Sequence, residues 1–453
     1  MAHPNELDAL YAFLTAAAIT ALLTPLSKRL AWRVGAIDQP RERGLSDRAT
    51  PLLGGLAIFI GAACAMLIWL PSGYDVGHEH QHQLWHGVLL AAVVITLVGA
   101  LDDRYDLPPG AKLAGQVLAA AITVHYGVAV KAITLPFVGE LALPNAGVTN
   151  AGPLLTVVGL VAMMNVVNFS DGVDGLAAGV CVIIAATMAV IAFDLTRQQP
   201  GVLAALTGGA ALGFLFFNFP PASSFMGDCG ANLLGLLMGV ITVEAAVKTA
   251  AVVSFVLPLI LLAVPFLDTT FVVLKRLKYR QPIYRSDSEH FHHRMARIGF
   301  SSRRTIAYLY AWTLMLAGLA LALRFIPYSD HKGKYDTGWT LVIVALGVFA
   351  VAASVYLVYV LEILKFRRLD AMRLRRLRPD ASPAEIAMDV AKHLETGEFD
   401  AVNDAGHGEG EVVRDVPRPR AQEPVREGQV DQHRVGAEHE HGGTQAPIPA
   451  DGG

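Results

Sequence analysis

Long apolar runs separated by short polar or charged segments dominate this chain of 453 residues. Each run is roughly twenty residues long, the length that a helix needs to cross the hydrocarbon core of a bilayer. The weakest division lies between 230 and 274, where only Lys248 and Thr249 interrupt the apolar sequence. The pattern predicts eleven transmembrane helices, over residues 9–28, 51–71, 85–101, 112–130, 152–169, 173–193, 201–219, 230–247, 249–274, 304–326 and 337–364.

Basic residues are distributed unequally between the two sets of loops that these helices define. One set, at 28–50, 102–112, 275–304 and 365–378, holds 24 Lys and Arg residues. The opposite loops hold only Lys131, Arg197, Lys248, Lys332 and Lys334. Because cytoplasmic loops carry an excess of Lys and Arg, the first set is assigned to the cytoplasm. The sequence predicts an all-α polytopic membrane protein with its N-terminus outside and its C-terminus in the cytoplasm.

The overall composition agrees with a membrane protein and separates a tail from the body. Hydrophobic residues make up 53% of the chain and charged residues only 17%, whereas a soluble domain carries about 25% charged residues. From Pro379 onward the chain has 16 acidic and 6 basic residues and few large apolar ones. Such a segment cannot offset the entropy cost of ordering. We therefore expect a transmembrane domain over 1–378 and an acidic, mostly disordered cytoplasmic tail over 379–453.

Polar residues that could catalyse a reaction or bind a ligand gather in the loops assigned to the cytoplasm. Carboxylates follow the third span, lie between spans five and six, and precede span eight, and a histidine-rich loop follows span nine. The members are Asp102, Asp103, Asp106, Asn165, Asn168, Asp171, Asp174, Asp228, His290, His292, His293 and Arg294. The predicted outer loops have no comparable acidic set.

The spacing of these groups indicates phosphate chemistry. Asn165, Asn168 and Asp171 are three residues apart, so a continuing helix would place them on one face, with Asp174 extending the row. Carboxylates gathered so densely repel one another, and Mg²⁺ would relieve that repulsion while binding substrate phosphates. A single acidic motif is more often a solvated loop or a helix cap. Several motifs on one side favour phosphoryl transfer at a membrane surface.

Four segments occur in a characteristic order: LDDRYDLPPGAKLAGQ, NVVNFSDGVDGLAAG, FMGDCGANLLG and SDSEHFHHRM. Together they resemble the polyprenyl-phosphate N-acetylhexosamine-1-phosphate transferase family, the MraY/WecA superfamily, over residues 10–370. The resemblance implies an enzyme that moves a sugar 1-phosphate from a UDP-amino sugar to polyprenyl phosphate and releases UMP. It also implies dependence on Mg²⁺, with Mn²⁺ as a substitute, a multi-pass protein of the cell membrane with a cytoplasmic active site, a homodimer, and no nucleic-acid partner.

The same resemblance assigns roles to individual residues. Catalytic roles fall on Asp102, Asp103, Asp171, Asp174 and His292. Asp171 and Asp228 match metal ligands. Substrate-binding roles fall on Lys112, Asn168, His290, His293 and Arg294.

The histidine loop favours one branch of this family. The HFHHRM segment resembles the branch that uses UDP-N-acetylglucosamine or a similar amino sugar to initiate a cell-envelope glycan. The phospho-N-acetylmuramoyl-pentapeptide transferase branch of peptidoglycan synthesis has three consecutive histidines and then an acidic residue, whereas Phe291 interrupts the run here. That branch stays an alternative. A transporter, which would bury charge near the midplane, and a non-catalytic scaffold are alternatives of another class.

Overall fold

The computed structural model describes residues 5–39, 49–70, 79–135, 139–143, 150–246, 302–327 and 336–363, together with Ser382, Glu385 and Met388. Ten helices lie within these ranges: α1 (Glu6–Val34), α2 (Gly54–Trp69), α3 (Glu79–Tyr105), α4 (Pro109–His125), α5 (Ala151–Ser170), α6 (Leu176–Asp194), α7 (Gln198–Asn218), α8 (Gly227–Ala246), α9 (Ser302–Phe325) and α10 (Thr337–Ile363).

These helices confirm the prediction of a polytopic helical membrane protein. Each of them overlaps one of the predicted spans, and eight helices of the described residues are long and apolar enough to cross a bilayer. The span predicted over 249–274 lies outside the described residues, so the total of eleven stays a prediction. The boundary predicted at 379 also lies there.

Two short antiparallel hairpins depart from the predicted all-α structure. β1 (Ile37–Asp38) pairs with β2 (Thr50–Pro51), and β3 (Ala132–Leu135) pairs with β4 (Gly139–Ala142). Both lie in connections between helices, where the backbone groups need partners that no helix supplies. They leave the architecture a helical bundle.

Local capping signals set the ends of α1, which extends beyond the predicted span of 9–28. Asn5 and Asp8 form a reciprocal capping box at its start. Gly35, with a φ of 76°, ends the helix, and its N–H donates to the Ala31 carbonyl at 2.9 Å. Hydrophobicity marks only the part of a helix inside the membrane, so the helix continues until this left-handed residue.

Helix α7 lies in the interior of the bundle, and small residues bring α1 against it. A Cβ atom at Gly209 or Gly213 would collide with the α1 carbonyl oxygens of Phe13 or Ala17. Such close approach is the usual basis of helix packing in membranes, where apolar surface alone gives little association. Helix α10, in contrast, exposes most of its apolar side chains, as expected of a helix at the lipid boundary.

One end of the bundle gathers the residues that the sequence singles out. There the last turns of α3, α5 and α7 meet the first turns of α4, α6 and α8. Hydrogen bonds cross between them, from Asn168 to Asp228, from the Gly175 amide to Asn218, and from the Asp228 amide to Asp103. We call this the site end.

Candidate active site

The segment just before α8 is held in place by backbone contacts with the first residues of α2. Gly54 and Gly55 donate their N–H groups to the carbonyls of Phe225 and Met226 at 3.0 and 2.9 Å. Gly227 then adopts a φ of 67°, a conformation that costs other residues free energy. This turn directs Asp228 into the site end.

Asp103 caps this first turn of α8. Its Oδ1 accepts the amide of Asp228 at 2.7 Å, and its Oδ2 accepts the amide of Cys229 at 3.2 Å. A helix N-terminus has unpaired N–H groups and a positive partial charge, so a carboxylate is a favourable partner. The sequence assigned Asp103 a catalytic role, and the structure shows that both of its oxygens bind the backbone.

Asp228 contacts two other predicted residues, Asn168 and Lys112, and Lys112 links it to a third, Asp102. Asn168 donates its Nδ2–H to Asp228 Oδ1 at 2.7 Å. The Lys112 ammonium forms an ion pair with Asp228 Oδ2 and lies 3.3 Å from Asp102 Oδ2. Asp102 is itself oriented by the Leu107 amide, which donates to its Oδ1 at 2.9 Å. The structure therefore brings together four side chains from α3, α4, α5 and α8, as the motifs predicted.

Asp171 and Asp174 do not continue the helical row that a longer α5 would have produced. The helix ends at Ser170, and Asp171 is the residue that follows it. The chain then turns through Gly175, whose φ is 76°, into α6. Asp174 consequently does not join the row of Asn165 and Asn168, and its Oδ2 accepts the Ala222 amide at 2.8 Å.

These two carboxyl groups are electrostatically unfavourable in their ionised forms. Burial raises the pKa of Asp171 well above its usual range, and the charges of Asp103 and Asp174 raise it further. Burial also raises the pKa of Asp174, although the hydrogen bond from Ala222 partly offsets the rise. None of the described residues donates a hydrogen bond to the Asp171 side chain. The carboxylates of Asp103, Asp171 and Asp174 thus disfavour one another's ionised forms, and a bound cation would relieve that repulsion.

Three amide side chains lie deeper in the bundle, below these residues, and two of them, Gln116 and Asn232, are buried. Asn165 shares the face of Asn168, as its spacing predicted, but it hydrogen-bonds Gln116 rather than a carboxylate. Gln116 also bonds Asn232. The sequence reasoning missed Gln116 and Asn232. The sequence signal for both is that each is a polar residue within an apolar helix, four positions after a site residue.

The histidine loop cannot be placed against this geometry. His290, His292, His293 and Arg294 lie outside the described residues, and their catalytic and substrate-binding roles stay predictions.

The described residues fit Mg²⁺ through a small ligand set. No group of three or more His, Cys, Asp or Glu side chains that could hold a metal occurs among them. Mg²⁺ is usually bound by one or two carboxylates together with substrate phosphates and water. Asp171 has no hydrogen-bond donor in the described part of the chain, and Asp228 already faces the cationic Lys112. The roles of Asp171 and Asp228 as metal ligands stay predictions.

Comparisons with known proteins connect this geometry to an established family. The model of glycosyl transferase family 4 matches residues 85–246, which include most of α3 and all of α4 to α8. The chain is 34% identical over 319 residues to the probable undecaprenyl-phosphate N-acetylglucosaminyl 1-phosphate transferase of Bacillus subtilis, covering 69% of this chain and 84% of the relative.

Two further relatives show the range of the similarity. The decaprenyl-phosphate N-acetylglucosaminephosphotransferase of Mycolicibacterium smegmatis is 35% identical over 343 residues, covering 69% of this chain and 82% of the relative. The phospho-N-acetylmuramoyl-pentapeptide-transferase of Desulforudis audaxviator is 31% identical over 345 residues, covering 69% of this chain and 95% of the relative.

Proposed function

This chain belongs to glycosyl transferase family 4, and we propose that it transfers N-acetylglucosamine 1-phosphate from UDP-N-acetylglucosamine to a polyprenyl phosphate. The products are polyprenyl-diphosphate-linked N-acetylglucosamine and UMP. The observation that carries the proposal is a cluster at one end of a membrane bundle. In this cluster Asn168 and Lys112 contact Asp228, and Lys112 also contacts Asp102.

The reaction needs positioning and charge neutralisation rather than a strong base. An oxygen of the lipid phosphate forms a bond to the sugar-bearing phosphorus of the UDP-sugar, and the bond from that phosphorus to the UMP oxygen breaks. A phosphate monoester has a second pKa near 6, so the lipid phosphate is already largely ionised at neutral pH. Direct in-line attack then depends on aligning the two phosphates.

The described residues supply that alignment. Among the described residues Lys112 is the cation that pairs with Asp228 and Asp102, and its ammonium can contact the diphosphate as negative charge develops. Asn168 orients Asp228 through its side-chain amide. Asp103 fixes the helix turn on which Asp228 lies.

A divalent cation completes this proposal. Asp171 and Asp228 are the residues that would hold Mg²⁺, with Mn²⁺ as a substitute. When bound, the ion would neutralise phosphate charge and polarise a phosphoryl oxygen. The unfavourable ionisation of Asp171 supports a cation at this place.

The basic loops support a cytoplasmic orientation of the site end. Lys28, Arg29 and Arg33 occupy the last part of α1, which finishes at the same end of the bundle as Asp228. By the positive-inside tendency this end faces the cytoplasm, where nucleotide sugars would be available in a plasma-membrane enzyme.

The experiment that tests the proposal offers each UDP-sugar separately to purified protein with a polyprenyl phosphate and Mg²⁺. We expect UMP release and a lipid-linked sugar with UDP-N-acetylglucosamine, and neither product after chelation of the metal. Product only with UDP-N-acetylmuramoyl-pentapeptide would keep the chemistry but replace the substrate. No product with a wider panel of UDP-sugars would contradict the proposal.

A further inference from the structure

Three amide side chains form a layer one helical turn deeper in the bundle than the site residues. Gln116 follows Lys112 by four residues on α4, and Asn232 follows Asp228 by four residues on α8. On α5, Asn165 precedes Asn168 by three residues. Because residues three or four apart share a helix face, each amide lies below one member of the site. We call Gln116, Asn165 and Asn232 the amide layer.

Hydrogen bonds join the three members across three helices. Asn165 Nδ2 donates to Gln116 Oε1 at 2.8 Å, and Gln116 Nε2 donates in return to Asn165 Oδ1 at 3.4 Å. Gln116 Nε2 also donates to Asn232 Oδ1 at 2.7 Å. Asn232 Nδ2 then donates to the backbone carbonyl of Asp228 at 2.8 Å. Gln116 is the centre of the layer, and Asn232 connects it to the site.

The surroundings make this pairing specific for one arrangement of the helices. Gln116 and Asn232 are each only 1% exposed, and the flanking helices are apolar. An amide without a partner in such surroundings is costly. Rotating α4, α5 or α8 about its axis would separate the partners and leave donors and acceptors unpaired. The hydrogen bonds therefore favour a single rotational setting of all three helices.

We propose that the amide layer is a positioning device, centred on Gln116, that fixes the rotation of α4, α5 and α8 so that Lys112, Asn168 and Asp228 converge. Its catalytic consequence rests on the proposed function, but its structural consequence does not. Gln116 touches no reacting atom, and it acts on the site through Asn232 and Asn165.

The test replaces Gln116 with methionine, which has nearly the same volume and makes no amide hydrogen bonds. Gln199→Met is the matched control, because Gln199 also bonds across helices, accepting from Trp85 Nε1 at 3.0 Å. Hydrogen–deuterium exchange of the full chain needs no substrate. We expect the amides in the first turn of α8 to exchange about tenfold faster in Gln116→Met, and at the normal rate in Gln199→Met.

Kinetics separate positioning from general stability. Gln116→Met should lower kcat for UMP release at least about tenfold while the KM for UDP-N-acetylglucosamine stays within about twofold. The double variant Gln116→Met/Asn165→Leu removes both members of the reciprocal pair, so part of the lost thermal stability should return, while Asn232 Oδ1 still lacks its Gln116 donor. Its kcat should stay low, because the rotational setting is not restored. The double variant also serves as the test if Gln116→Met cannot be purified.

The outcomes distinguish this inference from the proposed function. Faster exchange at α8 in Gln116→Met, together with a wild-type chain that uses no UDP-sugar, would leave the positioning device standing and overturn the proposed function. Unchanged exchange at α8, or a kcat that recovers in step with the melting temperature of the double variant, would overturn the positioning device.

Discussion

The carboxylate of Asp103 binds the helix turn that carries Asp228: its Oδ1 accepts the Asp228 amide at 2.7 Å, although the two residues are 125 positions apart. The same carboxylate accepts the next amide, that of Cys229, through its other oxygen. The acidic motif after the third span and the FMGD motif thus form one structural unit. The position of Asp228 depends on Asp103 as directly as on its own helix.

Asp103→Asn should therefore impair the enzyme by displacing Asp228. The amide keeps one acceptor oxygen, but its NH₂ group faces a backbone donor. We expect turnover to fall about a hundredfold and the free energy of unfolding to fall by about 0.5–2 kcal/mol, as for other lost caps. UMP release and thermal unfolding measure the two effects. Asp8→Asn is the control, since it removes a capping carboxylate from α1 far from the site. Equal turnover in both variants would contradict the role of Asp103 in positioning Asp228.

Asp228→Asn should abolish transfer while leaving a folded membrane protein. The asparagine retains an oxygen for the Asn168 amide but loses the charge that pairs with Lys112. We expect UMP release to fall at least about a thousandfold, the size of a lost electrostatic contribution in a preorganised site. Asp194→Asn is the matched change, because Asp194 pairs with Arg324 at the last turn of α6. Full activity of Asp228→Asn would show that transfer does not need the Asp228 carboxylate.

Sequence patterns predicted the parts of this structure that depend on local signals. Apolar runs locate the helices, and basic loops sort the acidic motifs to one end, so the meeting of Asp102, Lys112, Asn168 and Asp228 could be anticipated. The spans 152–169 and 173–193 predicted a break here, but the pattern left open whether a continuing helix would extend the polar row to Asp174. The turn at Gly175 ends that row. Asp174 consequently contacts Ala222 instead of joining the row.

The amide layer could not be predicted, for a different reason. Gln116 and Asn232 stand alone in apolar segments, and their partners depend on how each helix is rotated against its neighbours. That rotation follows from packing of the whole bundle rather than from any one segment. Asp103 shows the same limit, since its cap lies on a distant helix.

Lys112→Met should make the protein depend on Mg²⁺ for stability. The ammonium contacts both Asp102 and Asp228, and its removal leaves two carboxylates facing each other without a cation. We expect a lower melting temperature without metal and a larger rise on adding Mg²⁺ than in the wild type. Thermal unfolding across a Mg²⁺ series measures both. An equal rise in the two proteins would show that the metal and Lys112 act on separate carboxylates.

Asp174→Asn should stabilise the metal-free protein at neutral pH. A carboxyl whose pKa is raised by folding holds its proton more tightly in the folded chain, so stability declines as pH rises above 3.8 and through the folded pKa. Asparagine keeps an acceptor for Ala222 and never ionises. We expect a melting temperature roughly 1–3 °C higher at neutral pH and a flatter pH profile. Asp336→Asn, at an exposed cap, should give no such rise. A fall for Asp174→Asn would show that its charge is stabilising.

Gly227→Ala should disrupt the connection between Asp103 and α8. The φ of 67° costs an alanine about 1–2 kcal/mol, and the added Cβ would also crowd the Asp103 carboxylate and lie 2.5 Å from the Leu52 carbonyl oxygen. Relief of either contact moves the turn that presents Asp228. We expect turnover to fall at least about a hundredfold, together with a lower melting temperature.

The matched control for Gly227→Ala is Gly159→Ala, at an open position on α5 where a Cβ meets nothing within 4 Å. Alanine favours a helix over glycine by roughly 0.5–1 kcal/mol, so this variant should be active and at least as stable as the wild type. If Gly227→Ala matched it in activity, the turn before α8 would be tolerant of displacement. Asp228 would then not depend on the cap that Asp103 provides.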